Sequence, residues 1–323
     1  MGSIIYDFSY NAKPGFKYLN PHKGGVESKS EKPIMMKHKL AVAASILNKV
    51  KLPKISNEVF ELQDESFKPD PDVNTITRCI NRNPKLLTKF LSVASFLSKK
   101  EVCTARQAVD ILGTKGVFTV FFSSAIEFTF QSKGESEVIV NHAIKIATAM
   151  TELSAKLKSV KSSDAYLYGL LYNVGYIVLS DYSPEKYKAC YLASLMTPSQ
   201  SAAKEIEAFG TTSSHIGIYV AKKWRVKNSV YSGILFQQEE VEKCKQGENQ
   251  AYELINLLNI ARMVVMETED TRFITEEIKS RAAKSMAALG IGNLQYIRAQ
   301  KKVKAIAEGL HSMPEDFLDL ELV

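Results

Sequence analysis

From Met36 the apolar residues Leu40, Ala43, Leu47 and Val50 follow one another in alternating steps of four and three, which line one face of a helix until Pro53 ends it. Short helices are predicted next over 57–67 and 72–82. Asn83 followed by Pro84 opens another: the asparagine side chain can cap the first turn, and proline lacks the amide that would go unbonded there. Leu86, Leu87, Phe90, Leu91 and Ala94 form its buried face. Thr104 caps the following helix, with Ala108, Ile111 and Leu112 turned inward and Gly113 as a left-handed stop. A strongly apolar helix then runs from Val117 to Phe130.

The polar, glycine-bearing stretch QSKGESE, residues 131–137, divides the chain. Beyond it Ile139, Ala143, Ile146, Met150, Leu153 and Leu157 make a stripe of five helical turns. Further helices are predicted over 163–180, 185–196, 201–209, 212–224, 228–242, 250–268, 275–289 and 293–309. Nowhere do apolar and polar residues alternate with period two between hairpin turns, so the fold class is all-α, with two packed helical lobes at 34–131 and 132–309. Residues 1–33 read as an extension without its own core, and 310–323 as an acidic tail. The tail mixes acidic residues with Phe317, Leu318, Leu320 and Leu322, a pattern suited either to a partner's groove or to folding back on the body.

With 45% hydrophobic and 24% charged residues, the 323-residue chain has the composition of a folded globular protein. It carries no uninterrupted apolar run of the roughly 18 residues a membrane span needs and no signal-peptide core in residues 1–33, so a cytoplasmic location without a membrane role is expected. Cys79, Cys103, Cys190 and Cys244 show no paired spacing and read as reduced structural thiols. A net charge of +7 is spread along the chain, and no stacking aromatics interleave with it. Even RAQKKVK at 298–304 reads as a solvated helix face, so nucleic acid is not an expected partner.

Glycine-rich nucleotide loops, a Walker phosphate loop, the GxSxG elbow and HExxH are all absent. Of the five histidines, His22, His38 and His311 lie in polar or terminal stretches, whereas His142 and His215 sit near helix starts in the second lobe. Two imidazoles alone make a poor site for a divalent ion, which needs further anionic or imidazole ligands to replace its water. No metal or other cofactor is therefore expected.

LPKISNEVFEL, INRNPKLLTKFLSVASF and ARQAVDILGTKGVF, in that order, resemble the three N-terminal blocks of HDOD (HD-related output) domains. The second half, with NHAIKIATAM, DAYLYGLLYNVGYIVL, FGTTSSHIGIYVAKKW and the segment through ILFQQ, is similar to the rest of that family, so the resemblance covers about residues 34–309. It implies a helical relative of the HD phosphohydrolases with a dismantled metal site. His142 resembles the first superfamily histidine and His215 a later one, while Tyr172 and Asn173 stand where catalytic relatives carry the metal-bridging His-Asp pair. Gln237 and Gln238 occupy the place of paired histidines in some relatives, and Arg262 that of a terminal aspartate.

A hydrolytic metal centre uses carboxylates both as ligands and to offset the ion's charge, and none is expected among these positions. The resemblance thus implies a non-enzymatic module of bacterial signal transduction, acting in trans on other signalling proteins. Two other readings remain: the former metal pocket binds a small ligand such as a nucleotide or another anion, or a residual metal-dependent phosphohydrolase survives.

Overall fold

The computed structural model describes residues 31–50, 52, 55–130, 134–238, 249–269 and 274–311. Among them all regular structure is helical: α1 (Glu31–Lys49), α2 (Asn57–Ser66), α3 (Val73–Asn81), α4 (Pro84–Ser98), α5 (Ala105–Phe130), α6 (Gly134–Ser154), α7 (Ser162–Leu171), α8 (Val174–Tyr182), α9 (Pro184–Met196), α10 (Pro198–Phe209), α11 (Ser213–Lys223), α12 (Asn228–Phe236), α13 (Asn249–Thr268), α14 (Glu276–Leu289) and α15 (Asn293–His311). The all-α expectation holds. Most of the 1–33 extension, the tail beyond His311, His22, Cys244 and the end of the helix expected over 228–242 lie outside the described residues.

The chain divides into two units, Met1–Lys37 and His38–Val323. Within the second, one hydrophobic core runs from Ala43 to Val303, and α5 packs on α2, α3 and α4 as well as on α6 and α7. α6 lies against α7, α13 and α15, and α8 against α9 and α11.

Local chemistry accounts for these boundaries. The Asn83 side chain accepts the Leu86 amide at 3.1 Å, and Pro84 opens α4 as expected. Prolines 184 and 198 likewise open α9 and α10, so α10 begins three residues before the predicted start. Gly113 takes a left-handed φ of 69° and breaks α5, but the helix resumes at once. α5 is long and apolar enough by length and composition to cross a membrane, yet 61% of its most apolar stretch is buried within the fold, as in a core helix.

One expectation fails. The helix predicted over 163–180 is two, α7 and α8, broken at Tyr172 and Asn173. Gly175, two residues later, lies where a side chain is impossible: a β-carbon there would come within 2.0 Å of the Ser213 carbonyl oxygen. The backbones of α8 and α11 therefore touch.

Candidate functional site

In an unbroken helix the Tyr176 amide would bond to the Tyr172 carbonyl, four residues back. Here it bonds to Asn173 at 2.9 Å, and the released Tyr172 carbonyl accepts the Gln237 Nε2 donor at 2.7 Å. Gln237, at the end of α12, also donates to Ser214 Oγ at 3.3 Å. The break thus ties α7, α8, α11 and α12 together through a glutamine and turns Tyr172 and Asn173 into the interior, where 1% and 2% of their surfaces remain exposed.

Around Tyr172 gather side chains from distant helices. The Arg262 guanidinium of α13 lies 5.6 Å from the Tyr172 ring centroid, a cation–π contact within the core. Arg262 is only 5% exposed, its Nε and Nη1 have no hydrogen-bond partner, and burial pulls its pKa down. His142 of α6 is nearby: burial, opposed by the charge of Glu269 and aided by those of Arg262 and Lys145, brings it down to about 4. Its Nδ1 is 3.9 Å from Glu269, too far for a hydrogen bond, and its Nε2 is unpartnered. Burial raises the pKa of both the Tyr172 and Tyr191 hydroxyls, and neither has a partner. The Asn173 amide lies against the Tyr191 hydroxyl and opposes that rise, but the two do not reach hydrogen-bonding geometry, so Asn173 Nδ2 is also unmatched.

A second polar cluster lies one turn further along α8. Tyr176 donates to Glu205 of α10 and lies 3.1 Å from the Cys190 carbonyl. Glu205 also accepts the Ser213 amide and, at 2.7 Å, Gln238 Nε2. Gln238 reaches Ser201 Oγ at 3.3 Å as well. Burial raises the Glu205 pKa against these hydrogen bonds, which favour its ionised form.

The structure therefore brings His142, Tyr172, Asn173 and Arg262 together, with Gln237 bonded to the Tyr172 backbone. Gln238 belongs to the Glu205 cluster. His215 is engaged elsewhere: its Nδ1 is 2.9 Å from Thr212 Oγ1, the cap of α11, and burial with the charge of Lys39 holds it at about 4. The expectation of a site without carboxylates is corrected by Glu269, bonded to Lys145 at 2.7 Å, and by Glu205. Glu269 was findable, seven residues beyond Arg262 and so on the same helical face. Glu205, Tyr176 and Tyr191 carry no comparable signal.

These donors do not fit the metal pair that the HD resemblance implies. A phenol, an amide and a guanidinium occupy the central positions, and a guanidinium repels a cation. Among the described residues no three His, Cys, Asp or Glu side chains converge as metal ligands.

Comparison with known proteins gives the same family. Residues 52–240 match the HDOD domain. An uncharacterized protein of Treponema pallidum (strain Nichols) is 24% identical over 203 residues, covering 60% of this chain and 39% of that protein, so the chain spans about two fifths of that relative's length. An HDOD domain protein with unknown function from Geobacter sulfurreducens has a TM-score of 0.58 at 17% identity, over 85% of this chain and 94% of that one. A Shewanella amazonensis SB2B protein named as a candidate phosphohydrolase has a TM-score of 0.57 at 19% identity, over 81% and 98%. One from Marinobacter aquaeolei VT8, named as a candidate signal transduction protein, has 0.55 at 16%, over 85% and 67%. At these identities the solved structures establish the fold.

Proposed function

The chain belongs to the HDOD domain family, and from that premise we propose that it is a non-catalytic signal-transduction module of the bacterial cytoplasm, acting in trans through protein interaction. The observation that carries this reading is the Arg262 guanidinium, buried beside Tyr172 and His142 where hydrolytic relatives would concentrate negative charge. Such a centre disfavours both a divalent ion and the activation of water.

The surface supports the other half of the reading. On α15 Leu294 and Ile297 are 59% and 47% exposed, and with Arg298 and Lys301 they form an outward stripe at helical spacing. Beside it Phe96, Lys99, Glu152, Arg298, Lys301 and Lys302 line an open groove of about 530 Å³. Lys302 Nζ stands 5.0 Å from the Phe96 ring centroid, and Glu152 offsets only Lys99. A groove of this charge fits an acidic segment of a partner that also carries apolar residues.

Two measurements test the reading. Purified protein supplied with manganese or magnesium is expected to show no metal-dependent turnover of phosphodiester or nucleotide substrates, and such turnover would refute it. Native mass spectrometry of protein isolated from its own host is expected to show a second polypeptide, lost when Arg298→Glu and Lys301→Glu are combined.

A further inference from the structure

Twelve buried side-chain polar atoms lack a hydrogen-bond partner among the described residues, and seven of them belong to the group around Tyr172: His142 Nε2, Tyr172 Oη, Asn173 Nδ2, Tyr191 Oη, Gln237 Oε1, and Arg262 Nε and Nη1. Most of the unmet hydrogen bonding of buried side chains among the described residues is thus concentrated in one place. Each buried unmet group costs about 1–3 kcal/mol, so such a concentration calls for a missing partner.

Its chemistry follows from the atoms. The two Arg262 nitrogens and Asn173 Nδ2 are fixed donors and the tyrosine hydroxyls can donate, against Gln237 Oε1 as the one fixed acceptor, so the partner must be rich in acceptors. Water could meet some of these bonds, but it cannot balance a charge. Arg262 is a permanent cation with no ion pair among the described residues, and the face of the Tyr172 ring offsets part of its charge. The carboxylate beside this group, Glu269, is committed to Lys145 at 2.7 Å. Among the described residues, counting Arg262, Lys145 and Glu269 leaves one positive charge unbalanced, with His142 neutral.

We propose that this group is a binding site for a small oxyanion, a carboxylate or phosphate group, held by Arg262, Asn173 and the Tyr172 and Tyr191 hydroxyls. The unmatched atoms are sealed from solvent, so the anion enters by a local shift. Glu269, a third exposed and beside His142, is the side chain that swings aside. The inference goes beyond the interaction module and stands whether or not that reading survives: binding requires neither turnover nor a protein partner.

Thermal unfolding of the full chain tests it, with inorganic phosphate or acetate titrated against sodium chloride at matched ionic strength. The melting temperature is expected to rise saturably with one of the two, which assigns the phosphate or carboxylate class, and not with chloride. Arg262→Met is expected to remove the dependence. Asn173→Asp, nearly isosteric and adding a repelling charge, is expected to do the same should the first variant fold poorly. Glu269→Gln, which removes a negative charge close to the Tyr172 hydroxyl, is expected to lower the half-saturating concentration at least about threefold. No saturable rise with either anion, or an equal rise in the wild type, Arg262→Met and Asn173→Asp, would overturn the proposal.

Discussion

Tyr172 and Tyr176 are four residues apart, both fully buried and both carrying a hydroxyl into the core, yet their surroundings are opposite. Tyr176 meets Glu205, whose remaining acceptor capacity is taken by the Ser213 amide and Gln238. Tyr172 meets an arginine whose Nε and Nη1 also lack partners among the described residues. Burial of polar groups is common to the two clusters and so distinguishes nothing. Satisfaction distinguishes them: the Glu205 cluster is closed and holds helices together, whereas the Arg262 cluster leaves hydrogen bonds and charge unmet.

The sharpest way to break this contrast is at the closed cluster. Glu205→Ala strips the acceptor from Tyr176, the Ser213 amide and Gln238 at once, and is expected to cost about 3–5 kcal/mol in urea unfolding. A loss below about 1 kcal/mol would mean that the cluster is not closed in solution.

Acid affects both regions. His142 and His215 titrate near 4 when folded and at the ordinary 6.5 when unfolded, so the unfolded chain holds more protons between those values. Stability is therefore expected to be fully present above pH 6.5 and to fall as pH drops towards 4, by about 1.4 kcal/mol per unit for each histidine. Glu205, whose pKa burial raises, acts in the opposite sense, losing stability as pH rises through its own titration. His142→Gln and His215→Gln should each remove one proton from the measured slope.

The smallest effect is expected at the open cluster. Arg262→Met removes a buried charge whose desolvation the Tyr172 ring offsets only in part, and without added anion it should change stability by less than about 1 kcal/mol or raise it. A loss comparable to that of Glu205→Ala would show that Arg262 has a partner in solution.

Much of the fold was legible because local chemistry agrees with tertiary packing. The cap at Asn83, the proline at position 84 and the glycine at 113 act within a few residues, and the structure uses each as expected. The break at Tyr172 and Asn173 was not legible. Leu170, Leu171, Tyr172 and Val174 are all buried, and a segment apolar on every side gives the helical period no phase to lose. The resemblance pointed to His142, Asn173 and Arg262, but which side chains satisfy one another depends on α9, α10 and the end of α13, far apart in the chain. Glu205 and Tyr191 stood at no motif position, and so chemistry essential to the contrast came only from the packing.

The contact between Gly175 and Ser213 has a consequence for slow motions. Where two helices meet through side chains, rotamer changes can absorb a displacement; where backbone touches backbone, nothing is free to rearrange. α8 and α11 are thus coupled as one stiff body, with the helix break and the Thr212 cap both beside the contact. Their amides should exchange with deuterium as a single cooperative block sharing one opening free energy, so that loosening at Asn173 is felt at His215 through the backbone contact as well as through Gln237.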